Sequence, residues 1–215
     1  MSQSSSTTLG LVDYGSGNLR SVQRALEHSG GRCILVRKPD DASLCGALVV
    51  PGVGAFGDCA RQLREAGLWD FIREWIMADR PYLGICLGYQ LLFESSEESP
   101  GVKGFGCLKG EVVHFSKRLP GAQIKIPHMG WNQLHIKAPS DRLMKGLSGN
   151  PDFYFVHSYY PVPEDSAIVT ATCYYGVEFA ASVTRRNLSA VQFHPEKSQD
   201  IGLAMLRNFI NSLEL

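Results

Sequence analysis

Apolar and polar positions along the first hundred residues switch repeatedly between a strand period and a helix period. Residues 9–14 form a short apolar run, Gly15-Ser16-Gly17 reads as a turn, and from Asn18 apolar residues recur at Leu19, Val22, Ala25 and Leu26, the spacing of one helix face. Gly30-Gly31 stops that helix, and apolar runs follow at 33–36 and 47–50, the second closed by Pro51-Gly52-Val53-Gly54. Helical spacing returns over 58–66 and 68–78, then an apolar run enters Gly84-Ile85-Cys86-Leu87-Gly88 and continues into a predicted helix from 87 to about 95. Such alternation predicts an α/β fold: a mostly parallel central sheet with helices on both faces. The second half is β-rich, with predicted strands at 111–115, 131–136, 153–157, 168–175, 179–184 and 189–193. These extend the sheet, some antiparallel, with room for a small separate sheet. A last helix over 199–213 carries Ile201, Met205, Phe209 and Leu213 four apart.

The length of 215 residues fits one α/β domain, over 9–215, after a short polar leader over 1–8 that has neither the basic start nor the apolar core of a secretory signal. Lys plus Arg and Asp plus Glu both number 21, so no bulk charge draws the chain to nucleic acid or to a membrane surface. No apolar run is long enough to span a bilayer. The six cysteines contain no C-x-x-C pair, which argues against a disulfide framework or a zinc site and for a reducing, cytoplasmic setting.

Two short motifs carry the chemistry. Gly84-Ile85-Cys86-Leu87-Gly88 has the form of a nucleophile elbow, with glycines that let strand and helix approach around a sharp turn and a cysteine thrust out of the sheet. The helix N-terminus beyond it favours thiolate. The pentapeptide alone fits a packed, inert cysteine equally well. The second motif, His194-Pro195-Glu196, follows a predicted strand. Pro195 biases His194 toward extended geometry, so the imidazole and the carboxylate two residues on share a side. A carboxylate that accepts one ring N–H leaves the other ring nitrogen aimed outward. His157 also sits at a strand end and competes with His194 as base on spacing alone; the adjacent Glu196 favours His194. Leu87 N–H is one candidate oxyanion donor, and an amide in Gly52-Val53-Gly54 is a second. Met129 and Trp131 in Pro127-His128-Met129-Gly130-Trp131 fit either a packed turn or an exposed anchor for a partner.

Gly84-Ile85-Cys86-Leu87-Gly88-Tyr89-Gln90 together with His194-Pro195-Glu196 resembles the triad (class I) glutamine amidotransferases. More narrowly, Asp13-Tyr14-Gly15-Ser16-Gly17-Asn18-Leu19, Pro51-Gly52-Val53-Gly54-Ala55-Phe56, Pro127-His128-Met129-Gly130-Trp131-Asn132, Tyr154-Phe155-Val156-His157-Ser158-Tyr159 and Gln192-Phe193-His194-Pro195-Glu196-Lys197-Ser198 look like segments of the glutaminase subunits of imidazole glycerol phosphate synthases. The similarity runs from about residue 9 to 215. It implies a flavodoxin-like three-layer sandwich and release of ammonia from L-glutamine through a thioester on Cys86, with His194 and Glu196 completing the triad. It implies a glutamine pocket of Gly52, Gln90, Ser158 and Tyr159, with Val53 and Leu87 as backbone oxyanion donors. It also implies a partner face of Asn18, Met129, Trp131, Tyr154 and Lys197 for a (β/α)₈-barrel cyclase subunit, to which ammonia passes in histidine biosynthesis. No metal or organic cofactor is implied. The alternatives are a glutaminase subunit serving anthranilate, aminodeoxychorismate or pyridoxal phosphate synthesis, a stand-alone cysteine hydrolase of γ-glutamyl compounds, or a non-catalytic binding module on the same fold.

Overall fold

The computed structural model describes residues 7–15, 18–118 and 124–213. The expected leader, apart from Thr7 and Thr8, and Ser16 and Gly17 of the expected turn lie outside the described residues. The chain runs β1 (Thr8–Val12), α1 (Leu19–His28), β2 (Arg32–Val36), β3 (Ala47–Gly52), α2 (Phe56–Glu65), α3 (Trp69–Met77), β4 (Tyr82–Cys86) and α4 (Leu87–Gln90). There follow β5 (Ser95–Ser96), β6 (Gly110–His114), α5 (Phe115–Arg118), β7 (His128–Ile136), β8 (Asp152–His157), β9 (Tyr159–Pro163), β10 (Val169–Tyr175), β11 (Val177–Arg185), β12 (Leu188–Val191) and α6 (Gln199–Asn211). β1 opens at Thr8, one residue inside the expected leader.

The main sheet has nine strands in the order β2-β1-β3-β4-β12-β11-β10-β7-β8. β2, β1, β3, β4 and β12 pair in parallel, and the strands from β11 outward pair antiparallel. Period-two alternation sends Leu9, Leu11, Ala47, Val49, Leu83 and Ile85 to a core shared with α1 and α6. It sends Val12, Leu48, Val50, Tyr82 and Ala190 to a second core under α2 and α3. Both faces of the parallel half are covered, which is why its strands read as unbroken apolar runs. At roughly 25 cal/mol per Å² of apolar surface, each fully buried Leu or Val contributes about 1.5–3 kcal/mol.

Two expectations change. The predicted helix over 87–95 is one turn only. Beyond Gln90, the carbonyls of Leu91, Leu92 and Phe93 accept from the amides of Phe105, Leu108 and Gly106, so the 104–108 loop takes the place of further helical turns. Gly104 permits this, since a Cβ there would stand 2.0 Å from the Phe93 carbonyl oxygen. β9 was not foreseen because Pro161 and Pro163 punctuate it. It is an edge strand of a three-stranded sheet ordered β5-β6-β9, where missing amide protons are tolerated.

Candidate active site

β3, β4 and β12 are neighbours in the parallel half, and their carboxyl ends converge. Gly52 stands in register with Cys86, and Val191 with Ile85. The open end of such a sheet is where a ligand crevice forms. Cys86 has φ 54° and ψ −103°, a region that costs a non-glycine residue of order 1–3 kcal/mol. Close packing imposes it. A Cβ on Gly84 would lie 2.7 Å from the Gly88 carbonyl oxygen, and one on Gly88 would lie 1.9 Å from that of Val50. The elbow thus follows from two glycines and a buried strand, and it turns the sulfur toward the crevice. Cys86 is 7% exposed. Leu87 N–H begins the single turn of α4, so the macrodipole at the sulfur is that of one turn only.

His194 reaches the same place from β12. Its Nδ1 lies 2.8 Å from Glu196 Oε1, with both side chains almost fully buried. The carboxylate can only accept, so Nδ1 carries the proton and donates. Nε2 has no hydrogen-bond partner in the described protein and is left for the sulfur or a substrate. Burial opposes charge on His194, but the Cys86 sulfur and Glu196 outweigh it and push the imidazole up to about 10. Asn18 Nδ2 donates to the same Glu196 oxygen at 2.7 Å. Asn18 itself has φ 71°, a left-handed conformation that asparagine tolerates better than most residues.

The His-Pro-Glu turn is pinned from several sides. His194 N–H donates to the Tyr154 carbonyl, Ser198 Oγ donates to the His194 carbonyl at 2.7 Å, and Tyr154 N–H donates to Ser198 Oγ. α6 abuts the turn so closely that a Cβ on Gly202 would lie 1.9 Å from the Pro195 carbonyl oxygen.

His157 lies in the crevice too, yet it is spent. Its Nδ1 donates to the Tyr159 carbonyl at 2.8 Å. Its Nε2 must therefore accept, and His128 Nδ1 donates to it at 3.0 Å. His128 Nε2 in turn accepts from Asn132 Nδ2 at 3.1 Å. Burial pushes His128 down to about 4 and, together with the neighbouring His128 and His194, pushes His157 down to about 3. This neutral pair cannot compete with His194 as base.

A crevice of about 430 Å³ opens over Cys86 and His194, a size suited to a small molecule. Val53, Leu87, Gln90, Ser158 and Tyr159 line it. Gly52 does not. It lies beneath the wall, where a Cβ would meet Leu87 Cβ and Tyr14 Oη at 2.7 Å, and Gly54 with φ 98° lines the crevice instead. Glu98 was missed. It enters the wall from the 97–103 loop, with Oε2 accepting the Phe56 N–H at 2.7 Å at the start of α2. Only its place in the fold distinguishes it from the neighbouring Glu94 and Glu97. Of the residues foreseen for a partner face, Met129 is 61% and Trp131 48% exposed. Trp131 meets the Tyr154 ring edge-on at 6.1 Å, and Lys197 Nζ sits 5.7 Å from that ring's centroid. The Asn18 amide is committed to Glu196 instead. No group of His, Cys, Asp and Glu among the described residues has the arrangement of a metal site. No helix among them is long and apolar enough to cross a membrane.

The chain matches the family model described as "Glutamine amidotransferase class-I" over residues 10–213. It is 50% identical over 201 residues to the imidazole glycerol phosphate synthase subunit HisH of Moorella thermoacetica, covering 94% of this chain and 93% of that one. It is 47% identical over 201 residues to the subunit of the same name from Syntrophotalea carbinolica, covering 93% and 97%. Among solved structures it resembles PurLQS from Thermotoga maritima, with TM-score 0.75 at 19% identity over 97% of this chain and 99% of that one. It also resembles a crystal structure titled glutamine amidotransferase, with TM-score 0.70 at 23% identity over 96% and 98%. At those identities the solved structures speak for the fold alone.

Proposed function

Because this chain belongs to the class I glutamine amidotransferase family, whose model it matches over residues 10–213, we propose that it is the glutaminase subunit of an imidazole glycerol phosphate synthase and works through Cys86, His194 and Glu196. The observation that carries this reading is the meeting of a strained cysteine on β4 with a buried His–Glu pair at the end of the neighbouring β12.

The Cys86 thiolate attacks the side-chain carboxamide carbon of L-glutamine. The oxyanion forms against the amides of Leu87 and Val53, and loss of one such donor costs about 10²–10³ in rate. His194 Nε2 gives its proton to the departing nitrogen, the C–N bond breaks, and ammonia leaves a γ-glutamyl thioester on the sulfur. Water then attacks the thioester carbon while His194 takes back a proton, and the C–S bond breaks to release glutamate and the thiolate. The sum is glutamine plus water giving glutamate plus ammonia. Glu196 holds the imidazole in the tautomer that aims Nε2 at the reaction, with Asn18 fixing the carboxylate. Glu98 accepts the substrate's α-ammonium group, since it is the carboxylate in the crevice wall apart from the triad. Ser158, Tyr159 and Gln90 close the pocket around the side chain.

Ammonia keeps its nucleophilic lone pair only while unprotonated, so a dry passage to a bound synthase subunit is the sensible route. That partner is a (β/α)₈-barrel cyclase, docked on the face of Met129, Trp131, Tyr154 and Lys197. The six free cysteines fit a reducing cytoplasm. Glutamate release measured with and without the cyclase subunit and its nucleotide ligand tests the reading. The isolated chain turns over slowly and the liganded complex faster. Brisk turnover by the isolated chain, or none by the complex, refutes it.

A further inference from the structure

We propose that Gln192 belongs to the catalytic centre as a buried amide donor to the Cys86 sulfur, held in its donating orientation by Gln90. The inference rests on the reading of Cys86 as nucleophile and adds to it a second, uncharged group that favours the thiolate.

Gln192 directly follows β12, and its backbone N–H still pairs with the Ala181 carbonyl of β11. Its side chain is fully buried, between Val191 and Phe193, which are also fully buried. A carboxamide in such a place costs free energy unless both of its ends are bonded. Here both are. Nε2 donates to Cys86 Sγ at 3.6 Å, and Oε1 accepts from Gln90 Nε2 at 3.1 Å.

The orientation of the two amides follows from chemistry. Gln90 also bonds the Tyr159 backbone carbonyl at 3.0 Å, and a carbonyl only accepts. Gln90 must therefore turn its NH₂ that way. The same NH₂ reaches Gln192, so Gln192 must present its oxygen to Gln90 and its NH₂ to the sulfur. The Tyr159 carbonyl that sets this sequence is shared with His157 Nδ1. A hydrogen bond donated to the charged form of a group stabilises that form, so this donor favours thiolate over thiol.

The titratable groups around the sulfur are His194 after β12, with Glu196 behind it, His157 from β8, Cys59 from α2, and Glu98 and Lys197 on the crevice wall. None of them is altered when Gln192 alone is changed. The other cysteines do not confuse the measurement, because burial raises Cys33, Cys59 and Cys173 to about 12 and also raises Cys45 and Cys107.

The test uses the full chain and iodoacetamide, whose iodide the thiolate displaces as an S–C bond forms. Alkylation of each cysteine is followed by mass spectrometry from roughly pH 5 to pH 10, the range over which thiols titrate. Gln192→Met keeps length and volume but has no N–H; Gln192→Leu is the second variant should the first fail to fold. The expected result is an upward move of the Cys86 midpoint by roughly one pH unit in either variant, with kcat for glutamate release down about tenfold and KM little changed. A purely structural role would lower the melting temperature and leave the midpoint in place. An unshifted midpoint in a folded variant overturns the inference while Cys86 stands as nucleophile. Wild-type Cys86 that fails to react near neutral pH overturns the functional reading itself.

Discussion

Two buried pairs of side chains, His194 with Glu196 and His157 with His128, each put one histidine into the crevice lining, and they use histidine in opposite ways. His194 sits against a carboxylate, keeps Nε2 unengaged and is pushed up to about 10. His157 sits against another imidazole and a backbone carbonyl, has both nitrogens engaged and is pushed down to about 3. Burial is common to both and disfavours charge in both. What separates a base from a strut is the sign of the partner and whether a ring nitrogen is left unspent.

The comparison breaks most plainly by substitution. His194→Ala should lower glutamate release by about 10³-fold or more, as loss of a triad base does. His157→Gln should lower it less than about tenfold, through the Tyr159 carbonyl it supports. Equal losses measured in a steady-state assay would erase the distinction.

Asn18 sharpens it next. Asn18→Ala removes the second hydrogen bond to the Glu196 oxygen that already accepts from His194 Nδ1 and so loosens the carboxylate, and kcat should fall about three- to tenfold with KM nearly constant. A change in KM alone would place Asn18 outside the triad's support.

The smallest effect is on stability against pH. The raised His194 contributes stability that is complete below its ordinary 6.5 and is lost as pH rises through about 10. His128 and His157, held below 6.5, work in the other direction: the unfolded chain takes up protons that the folded pair refuses, and stability falls as pH drops from 6.5 toward about 4 and about 3. Each pH unit of refusal is about 1.4 kcal/mol per group at most. Chemical denaturation at a series of pH values should show both limbs, and His157→Gln should flatten the acid limb while lowering stability near neutrality by about 1–3 kcal/mol.

Much of this was legible in one dimension. Unbroken apolar runs located the strands of the parallel half because it is covered on both faces, and a 3.6-residue period located the long helices because they are covered on one. The elbow and the His-Pro-Glu turn were legible because glycine and proline announce backbone geometry directly. The place of Gln192 beside the sulfur and of Glu98 in the crevice wall was not, since a glutamine in an apolar run and one acid among several have such a place only once β12 lies beside β4 and the 97–103 loop folds over α2. Gly52 and Gly54 differ for a related reason: spacing marks a loop as glycine-rich without saying which glycine lies under the wall and which lines the crevice. The short α4 escaped because what ended it was a distant loop competing for its carbonyls.

The pairing of β4 with β12 joins segments about a hundred residues apart in sequence. During synthesis on the ribosome Cys86 therefore emerges long before His194. A nascent chain cut short of residue 188 has a gap in the middle of the sheet and a sulfur with no imidazole beside it. The arrangement is complete only with β12 between β4 and β11 and α6 packed against the Pro195 turn. A chain stopped short of residue 188 should therefore release no glutamate from glutamine.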